Sequence, residues 1–384
     1  MSNTLPFRRP TPASAAAEEP LAALKAQIDE LVRQRRTLPS AQRSAELRTL
    51  LDLLILEGRK LGWDAERSLL LARALGVEDR GAEDTKAPLD HSVAAMERRW
   101  RESGIPDLYE GGNGPVSRER ARNVRALLYP KPAIQAGRIE NTQLAGPNGS
   151  MALRIYWPIT GAATGTLVYY HGGGWMLCDI DSHDAHCLRF ANRSRVVVVS
   201  VDYRLAPEHP FPQGVSDAVA ALDWAHAHRA ELGGAGQPLC VGGDSSGGNL
   251  AAVAALHARD HGIPLAAQVL IYPPTDLRAF PHPGVARAYF GDQAERLALD
   301  PRASPILASH QGVAPAIIGV GVHDVLYANN LAYAATLRAA GVPVRWREYA
   351  DLGHAFFSYT AISASCTAAA DQLCDDLHAS LSSE

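Results

Sequence analysis

The run Val241-Gly242-Gly243-Asp244-Ser245-Ser246-Gly247-Gly248-Asn249-Leu250 leaves its chain few ways to fold. A short apolar, β-prone stretch at 239–241 leads in, and an Ala/Leu-rich helical pattern over 250–258 leads out. Between them stands Gly-x-Ser-x-Gly, with Gly243, Ser245 and Gly247 at its fixed positions. A strand that turns at once into a helix forces its middle residue into a strained conformation, and closes only when small residues stand two positions to either side. Such a turn would lift the Ser245 hydroxyl above a sheet and set it near the positive end of the new helix. The same five-residue pattern also occurs in ordinary turns, so the flanks have to carry the argument.

From about Arg138 the flanks alternate. Short apolar runs at 152–157, 166–170, 195–201, 239–242, 267–272, 316–322 and 344–349 read as strands. Amphipathic windows near 183–193, 214–230, 248–260, 328–340 and 363–379 read as helices. This alternation predicts an α/β fold: a mostly parallel central sheet covered by helices on both faces. Ligands of such sheets bind beyond the carboxyl ends of the strands, where the Ser245 turn would lie. The region before Arg138 differs. Residues 1–20 are rich in Pro, Ala and Ser and are expected to be a disordered tail. Residues 21–137 are expected to form a helical extension and cap, with 138–384 as the catalytic domain. Leucine stripes predict three helices between residues 21 and 75, either a hairpin buried on the main domain or a dimerisation surface. Two more helices are expected at 90–102 and 117–129.

Composition narrows the class. A net charge of -4 gives no electrostatic reason to expect nucleic acid or an anionic membrane as partner. Five cysteines, an odd number with no C-x-x-C pair, suit a reducing compartment better than a disulfide framework. The first twenty residues lack the apolar run of a secretory signal, and the apolar helical run at 50–56 contains Asp52 and is too short to span a bilayer. A cytoplasmic protein is the expectation, and an exposed leucine stripe near 47–61 would favour a homodimer.

Three further segments carry chemistry. Directly after the 166–170 strand comes His171-Gly172-Gly173-Gly174-Trp175. Successive glycines leave backbone N–H groups free to converge on a small anion. With the N–H of Ser246, those of Gly173 and Gly174 would form an oxyanion hole. A serine hydroxyl is a poor nucleophile at neutral pH and needs a base oriented by an acid. Asp324, just past the 316–322 strand, and His354, in a Gly-His-x-Phe loop past the last strand, offer both groups. His323 and Asp351 are the competing choices. No His or Cys group shows metal-ligand spacing, so no metal is expected.

Together, His171–Trp175, the Asp202-Tyr203-Arg204-Leu205-Ala206-Pro207-Glu208-His209-Pro210-Phe211-Pro212 segment and Gly243–Leu250 resemble the hormone-sensitive-lipase family of carboxylesterases, the bacterial group with the GDSAGG signature. The resemblance runs from about Arg138 to the C-terminus. It implies an α/β-hydrolase fold, a cap over the active site, and cofactor-free hydrolysis of short- to medium-chain esters, a small-molecule substrate. By motif position it implies Ser245 as nucleophile, Asp324 as acid, His354 as base, and Gly173, Gly174 and Ser246 as oxyanion donors. The segment 203–212 is expected to be a rigid turn held by proline and a buried ionic pair.

The chain departs from this pattern in three places. Ser246 replaces the usual alanine, Asp324-Val325-Leu326-Tyr327-Ala328 lacks the second aspartate of Asp-Pro-Leu-x-Asp, and the stretch between Pro273 and Asp300 is short where the family inserts half of its cap. Residues 21–100 are additional, and are expected to replace the missing cap wall. A chymotrypsin-like peptidase is excluded by residue order. Lactonase, amidase and acyltransferase chemistry on the same groups stays open, as does a non-catalytic receptor on the same fold.

Overall fold

The computed structural model describes residues 87–382, apart from short breaks at 105, 107, 110–113, 129, 131, 148, 235 and 279. The chain divides into two compact units, 1–85 and 86–384. The helices expected before residue 87, and the leucine stripe at 47–61, lie outside the described residues.

Eight strands form one sheet in the order β1-β2-β4-β3-β5-β6-β7-β8. They are β1 (Ile139–Gly146), β2 (Gly149–Tyr156), β3 (Thr166–Tyr170), β4 (Val197–Val201), β5 (Leu239–Asp244), β6 (Ala267–Ile271), β7 (Ala316–Gly321) and β8 (Val344–Tyr349). β1 and β2 pair antiparallel with each other, and β2 runs antiparallel to β4; the rest of the ladder is parallel. β3, β4, β5, β6 and β7 are buried at every position. Their unbroken apolar runs, Val197-Val198-Val199 above all, are what a strand covered on both faces requires. All seven expected strands are present.

β1 was not anticipated. In Ile139–Gly146 only Leu144 is buried, because this edge strand of a hairpin turns most of its side chains to water. No apolar alternation marks it.

In chain order the helices are α1 (His91–Glu102), α2 (Gly114–Leu128), α3 (Asp184–Ser194), α4 (Gln213–Ala227), α5 (Arg229–Leu232), α6 (Ser246–Asp260), α7 (Pro283–Phe290), α8 (Ala294–Leu297), α9 (Tyr327–Ala339) and α10 (Ala364–Leu381). α3 packs against α10, and α4 against α6. Asp90 starts α1 by accepting the N–H groups of Ser92 and Val93 at 3.0 and 3.1 Å, the N-cap geometry that satisfies two orphan donors. The stretch between Pro273 and Asp300, expected to be a short connection, holds α7 and α8. The Pro283 start and Gly291 stop of α7 are ordinary helix punctuation that the sequence reading passed over.

The segment 203–212 carries the expected ionic pair. The Arg204 guanidinium and backbone N–H both bond Asp217, whose side chain is fully buried. A second tie was not foreseen: Arg118 of α2 pairs with Glu208 and donates to the Met176 carbonyl at 2.9 Å, fastening α2 beside the glycine loop. Among the described residues, no helix is long and apolar enough to cross a membrane.

Candidate active site

The β5–α6 turn explains its own sequence. Ser245 sits at φ 51°, ψ −122°, a conformation that L-residues rarely adopt. A Cβ on Gly243 or Gly247 would run into the Tyr170 carbonyl oxygen of the neighbouring strand, so both positions must be glycine for the turn to close against β3. The Ser245 N–H donates to the Ile271 carbonyl at 2.8 Å, holding the strained residue to β6.

Two loops from β7 and β8 meet this turn. The Ser245 hydroxyl lies 2.9 Å from His354 Nε2, and His354 Nδ1 lies 2.8 Å from Asp324 Oδ2. The other Asp324 oxygen accepts the Leu326 N–H at 2.7 Å, which fixes the carboxylate plane. Burial works against a charged imidazole at His354, but the adjacent Asp324 carboxylate and its hydrogen bond outweigh that effect and raise the pKa above the ordinary histidine value. The two competing residues are engaged elsewhere, His323 through its Nε2, which bonds the Ala87 carbonyl, and Asp351 through its backbone carbonyl, which accepts the Asp90 N–H. Both therefore serve the junction with α1.

The glycine loop after β3 turns back toward Ser245. Gly173 and Gly174 take φ +121° and +61°, and side chains there would meet the Leu177 carbonyl and Tyr109. Ser246 begins α6, where backbone N–H groups have no intrahelical acceptor. Among the described residues, none of the Gly173, Gly174 and Ser246 N–H groups donates to a carbonyl. The loop is pinned from several sides. Tyr203 donates to the His171 carbonyl at 2.7 Å, and its ring stacks on that of His171 at 4.3 Å. Trp175 stacks on Tyr289 of α7 at 4.3 Å and 9°, so the unforeseen helix supplies a seat for this loop.

A buried carboxylate joins the loop to the turn. Asp244 Oδ1 accepts the Gly172 N–H at 3.1 Å and the Tyr169 hydroxyl at 2.8 Å, and lies 3.3 Å from His183 Nε2 and 3.9 Å from His186 Nδ1. Burial alone would push this carboxyl up; His183 and His186 outweigh it and hold it well below the usual range. Burial likewise keeps both imidazoles below the ordinary histidine value, His183 down to about 3. Sequence reading saw no ligand spacing here, yet the fold brings the ligand atoms of His183, His186 and Asp244 within 4.8 Å of one another, close enough to hold a cation. The hydrogen bonds just described account for the cluster without one. The one early signal was a pair of histidines three apart on a helix.

Above Ser245 opens a cleft of about 210 Å³. Trp100, Leu108, Tyr109, Val124 and Tyr359 give it apolar walls, and Arg125 contributes a cation. Trp100 of α1, Ala121, Val124 and Arg125 of α2, and Leu108 and Tyr109 between them supply one wall, and the loops at the carboxyl end of the sheet supply the rest.

Comparison with known proteins agrees with the geometry. Residues 167–358 match a family model described as the alpha/beta hydrolase fold. The carboxylic ester hydrolase LipN of Mycobacterium tuberculosis is 37% identical over 77% of this chain and 84% of its own length. The carboxylesterase NlhH of the same species is 36% identical over 67% of this chain and 87% of its own. The hyperthermophilic esterase from the archaeon Pyrobaculum calidifontis superposes with a TM-score of 0.70 at 31% identity, covering 76% of this chain and 99% of that one. The chain is therefore a serine-hydrolase-type enzyme with an esterase-like active-site arrangement, and belongs to the α/β-hydrolase-fold family of carboxylesterases.

Proposed function

We propose that this enzyme hydrolyses short- to medium-chain carboxylic esters through an acyl-enzyme on Ser245, and that it belongs to the hormone-sensitive-lipase-like branch of its family. The observation that carries the reading is the continuous bond path from the Ser245 hydroxyl through both His354 nitrogens to Asp324, at 2.9 and 2.8 Å. Ser245 Oγ attacks the ester carbonyl carbon while His354 Nε2 takes the hydroxyl proton. Asp324 holds the tautomer with Nδ1 protonated and steadies the imidazolium that forms. The carbonyl oxygen becomes an oxyanion among the Gly173, Gly174 and Ser246 N–H groups, donors typically worth about 2.7–4 kcal/mol each in the transition state. His354 returns the proton to the departing alkoxide, and the alcohol leaves. A water molecule, deprotonated by the same nitrogen, then attacks the acyl carbonyl and releases acid and free serine.

Branch membership is supported by the three long motifs. The small apolar cleft supports short acyl groups. Five free cysteines fit work in a reducing compartment such as the cytoplasm. The homodimer rests on the 47–61 leucine stripe alone. In this reading residues 21–137 are extension and cover, and 138–384 the catalytic body. The test is a panel of p-nitrophenyl esters of increasing acyl length, with lactones and anilides beside them. Turnover is expected to be highest on the shorter esters and lost in Ser245→Ala. A lactone or anilide hydrolysed faster than every ester would contradict the assignment, as would full activity in that variant.

A further inference from the structure

A second cavity, of about 540 Å³, adjoins the cleft above Ser245. The two share Arg125 and Ser358 as walls, so Arg125 stands at the border between them. Arg122, one helical turn earlier on α2, also lines the second cavity, on the same side of the helix.

The charges there do not balance. Arg125 donates through Nη1 to the Ser182 carbonyl at 2.5 Å. That contact uses one of five guanidinium donors, and among the described residues neither Arg125 nor Arg122 has a carboxylate partner. Three aspartates border the cavity, but Asp181 and Asp184 are tied to Arg154, with Tyr156 also donating to Asp184. Asp179 accepts the Ser182 N–H at 2.8 Å and, among the described lining residues, is the one carboxylate left to set against two guanidiniums. An arginine half-buried among Trp100, Tyr109 and Val124, with no carboxylate partner among the described residues, is an unusual expense in a cleft built for neutral esters. A planar guanidinium with free donors is the group that recognises carboxylates.

We propose that Arg125, assisted by Arg122, selects esters bearing a carboxylate in one arm. This rests on Ser245 being the nucleophile, but concerns only which esters reach it. Two sources of the carboxylate are distinguished by two substrate pairs: ethyl hydrogen glutarate against its neutral carboxamide, with the charge on the acyl side, and 4-acetoxybutanoate against 4-acetoxybutanamide, with the charge on the alcohol side.

For at least one pair, the wild-type kcat/KM is expected to favour the carboxylate by about 10- to 100-fold, the scale of a charge-assisted hydrogen bond. Arg125→Met is expected to bring that ratio near one. Arg125→Lys, which keeps the charge but not the fork, should fall between. A wild-type enzyme indifferent to the carboxylate in both pairs overturns the proposal. So does a variant in which both members of a pair lose rate alike, since that marks Arg125 as only a tie to Ser182. Should Arg125→Met not fold, Arg122→Met carries the measurement. Its exposed side chain has no partner among the described residues, and the ratio should drop about two- to fivefold; an unchanged ratio overturns the proposal. Absence of turnover on every member of both pairs in wild type would instead count against the esterase reading itself.

Discussion

The carboxyl end of the sheet and the segments that cover it obey different constraints. At the sheet, three groups far apart in the chain meet because backbone geometry permits little else: Ser245 on a turn that two glycines must close, and Asp324 and His354 on the loops leaving β7 and β8. The cover, made of α1, α2, the chain between them and α7, is held by side-chain contacts such as Arg118 with Glu208 and Trp175 on Tyr289. Many sequences could supply such contacts. On the proposed reading the first region sets the reaction and the second the substrate, so variants should separate into those that abolish turnover and those that only redirect it.

The largest effect belongs to the sheet. Ser245→Ala is expected to lower kcat by about 10⁶-fold with the melting temperature preserved, as read by single-turnover kinetics and calorimetry. A loss below about tenfold would break the distinction at its base. Asp324→Asn should cost about 10⁴-fold in kcat while leaving ester affinity nearly intact. It should also move the pH profile. His354 acts as a base only when neutral, so activity rises as pH passes upward through its pKa. With Asp324 present that value stands above the ordinary imidazole range; without the carboxylate, burial dominates and the acid limb of kcat/KM should shift to lower pH. A limb that stays in place would mean that another group controls the base.

Variants of the cover should do less. Removing the aromatic seat of the glycine loop with Tyr289→Ala is expected to reduce kcat about tenfold on all esters alike, through the loss of one stacking contact and its packing. A change confined to long acyl groups would mean that α7 shapes the pocket instead of supporting the oxyanion donors. The smallest effect is expected for Glu208→Gln. Its pair with Arg118 is partly exposed, so kcat/KM should fall no more than about fivefold, mostly through KM as α2 loosens over the cleft. A collapse of kcat would show that the cover and the reaction are not separable.

What could be read before any coordinates follows the same division. The meeting of Ser245, His354 and Asp324 was legible because the turn and the two loops each demand a residue type that few alternatives can replace. The inner parallel strands were legible because burial on both faces favours runs of mostly β-branched and other apolar side chains. β1 was not, because at the sheet edge a single buried leucine suffices. α7 was hidden in a stretch dense with proline, and its contact with Trp175 joins positions whose neighbourhood no local pattern announces. Asp244 could be seen as part of the turn, but its partnership with His183 and His186 follows only from where α3 lies. Arg125 looked like one more charge on a helix until the cavity beside it was visible.

Labelling by a p-nitrophenyl alkylphosphonate, mapped by peptide mass spectrometry, addresses the nucleophile without reference to any chosen ester. One phosphonyl group per chain is expected, on the peptide containing Ser245, appearing at the rate at which activity disappears and absent from His354→Ala. Inactivation with the label on a different serine, or full loss of activity with Ser245 unmodified, would contradict the account.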